Sequence, residues 1–220
     1  PLNDLRCARY WDLAATVKSS SDYTATAKIG YDRTTGLFYI LDVEMMKGAP
    51  HEIESRVLAY LNQDGPHCYI YMEQEPGSSG LVSIDNYKRK VIPPGYMFYP
   101  DRVTGSKEDR ARPLSAAMGN GLIKIVDFPK RKLWYNDVMN QLEVFPAGDH
   151  DDGVDALSGC FNSLTKMIRS SAAYIGKLET IEPVVRDNEY LPEYAQPAKG
   201  RNIVDMITNG NPNDIFVRRP

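Results

Sequence analysis

The sequence predicts an α/β fold, a mixed sheet in which an antiparallel three-strand meander is continued by parallel strands and flanked by helices. Three successive runs near the N-terminus carry strand signals, and the period then switches to helical over residues 49–65. From there, strand-like and helix-like runs alternate. A strand that returns to its sheet through a helix lies parallel to its neighbour, so the alternation predicts the parallel part.

The first run, "LRCARYWDLA", is apolar and aromatic; "YTATAKIGYD" alternates with period two and is rich in Thr and Tyr; "GLFYILDVEMM" is a third run of the same kind. In "APHEIESRVLAYLNQDG", Ile53, Val57, Leu58 and Leu61 share one helical face and Gly65 is a stop. "HCYIYM" is compact and wholly apolar, as in a strand buried on both faces, with Glu73 at its end and the turn-forming "QEPGSSG" after it. A helix, "LVSIDNYKRKV", and a strand, "GYMFYP", follow. "SKEDRARPLSAAMGNG" reads as a helix with a proline interruption and a glycine stop, "LIKIVD" as a short edge strand, and "KLWYNDVMNQLEVF" and "GVDALSGCFNSLTKMI" as amphipathic helices. Beyond these the pattern weakens. Residues 1–170 are expected to form one domain and residues 171–220 a C-terminal tail, extended or partly ordered.

Of the 220 residues, 42% are hydrophobic and 25% charged, as in an ordinary globular domain, and the net charge of -3 excludes the strongly basic signature of a histone-like binder. Nucleic-acid contact would have to come from local patches. Cys7, Cys68 and Cys160 lie far apart in apolar runs, which reads as reduced core cysteine in a cytosolic setting. No stretch approaches the ~20 apolar residues of a membrane span. Pro1 stands where an initiator Met is expected, so the chain is expected to be part of something longer.

"FPAGDHDDGVDALSG" at 145–159 sets Asp149, Asp151 and Asp152 around His150 and adds Asp155 one turn into the following helix. A helix cap needs one such residue. Asp12 closes the first strand and Glu73 the fourth; if those strands are neighbours, both acids emerge at one sheet edge, and the last helix must bring its first turn there. Crowded carboxylates repel unless a cation intervenes, and oxygen-only ligands select Mg²⁺ or Mn²⁺ over zinc. Two such ions would serve an in-line phosphoryl displacement, which is nuclease chemistry.

Taken together, "RYWDLAAT", "DYTATAKIGYD", "YIYMEQEPGSSG", "GSKEDRARPLSAAMGNGLIKIV" and "WYNDVMNQLEVFPAGDHDDGVDALSG" resemble the C-terminal nuclease domain of the large terminase subunit of tailed bacteriophages. The resemblance covers residues 6–165 and implies a ribonuclease H-like fold. It further implies that Asp12, Glu73 and the Asp151–Asp152 pair hold two divalent cations and cut double-stranded concatemeric DNA during genome packaging. Partners implied in the same way are the terminase ATPase domain, which this chain lacks, the small terminase subunit and the portal protein, in the host cytoplasm at the procapsid. No G-x-x-x-x-G-K-[ST] phosphate loop is present. Two rival readings are a DNA-binding or portal-docking module without catalysis, and another ribonuclease H-like nuclease such as a junction resolvase.

Secondary candidates are Asp155, a ligand or a supporting residue; Glu75, which precedes Pro76 in the turn and is less favoured than Glu73; His150; and Asp22, more simply a turn residue. Lys107 and Arg110 share a helical face and are candidates to grip phosphate. The clusters Lys88, Arg89, Lys90 and Lys130, Arg131, Lys132 are further candidates for the DNA backbone, with a solvated surface as the plain alternative. Trp11 and Trp134 read as core.

Overall fold

The computed structural model describes residues 4–14, 23–127, 131–148, 150–178 and 216–218. Seven strands form one sheet in the order β5-β4-β1-β2-β3-β6-β7. The meander is β1 (Arg6–Asp12), β2 (Thr24–Tyr31) and β3 (Phe38–Met46), paired antiparallel. Helix α1 (Pro50–Asp64) then crosses over to β4 (Tyr69–Glu73), which lies parallel to β1, and α2 (Ser78–Asn86) leads to β5 (Phe98–Asp101), parallel to β4. On the other side α3 (Lys107–Gly119) feeds β6 (Ile123–Asp127), parallel to β3, and α4 (Arg131–Val144) and α5 (Asp152–Leu178) follow.

Strand alternation divides the core in two. From β1, Ala8 and Tyr10 join a cluster with Leu114 of α3, Trp134 and Val138 of α4 and Leu157, Cys160 and Leu164 of α5. Trp11 points the other way, into a cluster with Val57 and Leu61 of α1 and Ile84 of α2. Arg9 shares that second face and is 1% exposed. Its guanidinium pairs with Asp64, the last residue of α1, and with Asp42 of β3 at 3.1 Å, while Lys28 reaches Asp64 at 2.8 Å. Such a network suits a buried charge because each group finds an opposite one. It also fixes the C-terminal end of α1 on the sheet. That helix starts with Pro50, with Glu52 accepting the Ala49 amide at 2.6 Å, and stops at Gly65, whose φ of 77° favours glycine.

Helix α5 lies over β1 and β2, and its closest approach is at Gly159, where a Cβ would run into the Tyr10 ring. Cys160, next along, donates its thiol to the Ala8 carbonyl at 3.3 Å. Buried Val154, Leu157, Phe161 and Leu164 complete the apolar face at helical spacing.

Four expectations need correction. Helix α3 runs unbroken through Pro113, where the sequence predicted an interruption. β6, expected at an edge, is flanked by β3 and by β7 (Phe216–Arg218), three residues from a segment too short and too irregular to carry a strand pattern. Ser78–Gly80, expected in a turn, form the first turn of α2, and Gly80 is needed there because a Cβ would strike the Glu75 carbonyl. β4 is not uniformly buried: Ile70 and Met72 are, whereas Tyr69 and Tyr71 are half-buried. No helix among the described residues is long and apolar enough to cross a membrane.

The seat of α5 makes a testable demand. Gly159→Val should destabilise the domain by about 1–3 kcal/mol through overpacking, seen as a lower urea midpoint with an unchanged slope. An unchanged midpoint would mean that α5 does not rest on Tyr10.

Candidate active site

Asp12 and Glu73 end two parallel strands whose register pairs Trp11 with Met72, so the two acids are adjacent at the C-terminal edge of the sheet. Alternation puts Asp12 on the face of Ala8 and Tyr10, and Glu73 on the face of Tyr69 and Tyr71. This is the face covered by α5. With α5 seated at Gly159, Asp155 lies one turn earlier on the same helix, at that edge.

Two bases from α3 close the cluster. Arg110 Nη1 donates to Glu73 Oε2 at 3.2 Å and Nη2 to Asp155 Oδ1 at 3.1 Å. Lys107 Nζ lies 2.6 Å from Asp151 Oδ1 and 3.0 Å from Asp155 Oδ2. The helix that carries them is capped by Ser106, which accepts the Asp109 amide at 3.1 Å, and is tied to α5 by Asn162 Nδ2 on the Arg110 carbonyl at 2.8 Å. The start of α5 is held by Gln141 of α4, whose side-chain oxygen accepts the Gly153 amide at 2.9 Å.

The two bases do not fully balance the acids. Burial, then the charges of Glu73, Asp155 and Asp152, push the Asp12 carboxyl up to about 8, against the opposing pull of Arg110. Burial also raises Glu73 and Asp155, although Arg110 and Lys107 oppose it. Lys107, despite burial working against its charge, is held above its ordinary value by hydrogen bonds to Asp151 and Asp155. Beneath the cluster the buried Tyr10 hydroxyl donates to Asp101 Oδ2 at 3.1 Å, and Asp101 stands beside Glu73 in the β4–β5 register.

Residues 9–164 match the family of the terminase RNaseH-like domain. The chain belongs to that family. The large terminase nuclease of the thermophilic phage G20c is similar in fold: 21% identity, 72% of this chain and 82% of that one covered, TM-score 0.51. The same nuclease with bound magnesium gives 20% identity, 73% and 82% coverage and a TM-score of 0.51. Comparison with curated proteins returns no match.

Within this terminase domain, the sequence candidates fall into four groups. Glu73, Asp152 and Asp155 lie within electrostatic reach of Asp12, and Asp151 joins them through Lys107. His150 lies at the margin, its Nδ1 3.9 Å from Asp152 Oδ2 and its ring edge-on to Tyr23 at 5.3 Å. Glu75 is exposed in the turn after β4. Lys88, Arg89 and Lys90 are exposed on a π-helical turn at the end of α2, away from the strand end that carries Glu73, and Arg89 pairs with Asp85 at 2.7 Å. Asp22, Asp149 and Lys130, and the side chains of Arg131 and Lys132, lie outside the described residues. Among the described residues, no three His, Cys, Asp or Glu side chains are already drawn together around a metal position. The acids meet Lys107 and Arg110 instead.

Sequence reasoning missed Tyr10, Asp101, Gln141 and Asn162. Only Asp101 left a signal: like Glu73, it ends a parallel strand, at the edge where such sheets place their sites.

The raised Asp12 sets a pH dependence. Between an unfolded value near the ordinary carboxylate range of about 4 and the folded value of about 8, the folded state holds the proton that the unfolded state has lost. Stability contributed at this group therefore falls as pH rises through that window and levels off above it. In EDTA, Asp12→Asn should match wild type in melting temperature near pH 4 and exceed it by at least ~3 °C at pH 8. A constant difference across the range would show that Asp12 is not strained by its surroundings.

Proposed function

We propose that this domain is an Mg²⁺- or Mn²⁺-dependent endodeoxyribonuclease that cleaves double-stranded concatemeric viral DNA during genome packaging, with little sequence specificity. One observation carries the reading: Asp12, Glu73 and Asp155, from two strands and a helix distant in the chain, meet at one sheet edge in a member of the terminase RNaseH-like family. The G20c nuclease with bound magnesium, alike in fold, supports it.

The donor set fits hard cations. It is made of carboxylate oxygens alone, and its acids outnumber Lys107 and Arg110, the bases that meet them. Asp12, Glu73 and Asp155 would hold the ions, with Asp151 and Asp152 contributing from the start of α5. The chemistry that a pair of such ions supplies when bound is activation of a water and stabilisation of charge on the departing 3′ oxygen. The rest is the work of the chain. Tyr10 and Asp101 form the floor beside Glu73, Asn162 and Gln141 fix the two helices that carry the charged groups, and Lys107 and Arg110 stand where the phosphodiester backbone would pass. A site addressed to phosphate reads no base edges, which accounts for weak sequence preference. Lys88–Lys90 and Lys130–Lys132 are further basic clusters proposed to contact the DNA backbone. A terminase ATPase domain, the small subunit and the portal are the partners expected in the host cytoplasm, at the procapsid.

Asp12→Asn, Glu73→Gln and Asp155→Asn should each lower Mg²⁺- or Mn²⁺-dependent plasmid cleavage by at least about a hundredfold, since loss of even an outer-shell partner of a metal site costs 10–100-fold. Circular dichroism should remain unchanged. Products should carry 5′-phosphate and 3′-hydroxyl ends. Full activity in Asp12→Asn would remove that residue from the site, and activity in EDTA would remove the metals.

A further inference from the structure

We infer that Lys107 and Arg110 are internal counter-ions of the carboxylate cluster, displaced by divalent cations when these bind. The inference rests on the metal reading above and adds to it a competition between the site's own bases and its metals.

The pairing is specific at the level of single oxygens. Asp155 gives Oδ1 to Arg110 and Oδ2 to Lys107, at 3.1 and 3.0 Å, so a cation on either oxygen would lie within a few ångströms of a fixed positive charge. Glu73 gives Oε2 to Arg110 at 3.2 Å, and Asp151 gives Oδ1 to Lys107 at 2.6 Å. The two bases thus bridge β4 and α5 on one side and two points of the α5 start on the other. A cation binding the same carboxylates meets the repulsion of both bases, and that repulsion drives them off the shared oxygens.

Lys107 has room to withdraw, while Arg110, 17% exposed along its side chain, is mostly enclosed. Lys107 is 49% exposed along its side chain, so its ammonium can turn outward into water. Arg110 donates to the acids through its two terminal nitrogens, and its buried Nε has no hydrogen-bond partner among the described residues. Its main chain, by contrast, is anchored by Asn162 on the carbonyl at 2.8 Å. Helix α3 therefore stays docked while the guanidinium exchanges. A permanent clamp would behave in the opposite sense: removing it would disorder the acids and weaken metal binding.

The test is a calorimetric titration of the whole chain with Mn²⁺ in the absence of DNA, on wild type, Lys107→Met and Arg110→Gln, with a melting curve for each. Removal of one competing positive charge a few ångströms away should tighten Mn²⁺ binding at least about tenfold in each variant. Lys107, half in solvent, keeps the question answerable should Arg110→Gln fail to fold. Affinities that the variants leave unchanged or weaken, with wild type binding Mn²⁺, overturn the exchange alone. No Mn²⁺ binding by any of the three proteins overturns the metal reading and the exchange with it.

Discussion

The contact of Gly159 with the Tyr10 ring determines where the acids of α5 meet those at the strand ends. Helix α5 approaches β1 at a point where no Cβ fits, so its height and register over the sheet are set there. One turn back along the helix, Asp155 comes to the strand ends, and the Asp151–Asp152 start follows. The same Tyr10 that receives the helix holds Asp101 with its hydroxyl. One aromatic residue in the middle of β1 thus supports the site from below and positions it from above.

The two faces of β1 show how differently a fold treats buried charge. On the α1 face, Arg9 and Lys28 meet Asp42 and Asp64; burial alone would raise Asp64, but Arg9 and Lys28 hold it below its ordinary value. On the α5 face, Asp12, Glu73, Asp151, Asp152 and Asp155 face Lys107 and Arg110, and Asp12 is driven far upward. The first arrangement is closed and serves the packing of α1 on the sheet. The second is left with excess negative charge, a costly arrangement that a stable fold retains where function requires it.

Much of this was legible in the chain. The meander, the crossover to β4, and the placement of Asp12 and Glu73 at neighbouring strand ends all follow from period-two runs, a helical run between them and the right-handed rule for crossovers. The acidic start of α5 was legible because four carboxylates exceed what a cap requires. The weight within that group was not. "DHDD" drew attention to Asp151 and Asp152, yet Asp155 is the acid that shares Arg110 with Glu73, one turn beyond Asp152 on the same helical face. Likewise Lys107 and Arg110 read as phosphate ligands from their shared helical face, while the carboxylates that hold them come from segments 37 to 48 positions away.

The sequence by itself determined the class of fold, the order of its elements and the chemical type of the site, because periodicity and residue type are local properties. Tertiary structure alone decided which acids share a base, that Tyr10 and Asp101 lie beneath them, and that β6 is covered by a strand from the far end of the chain. Those facts depend on distances between segments remote in the chain, and such distances are fixed only when residues such as Gly159 and Tyr10 pack.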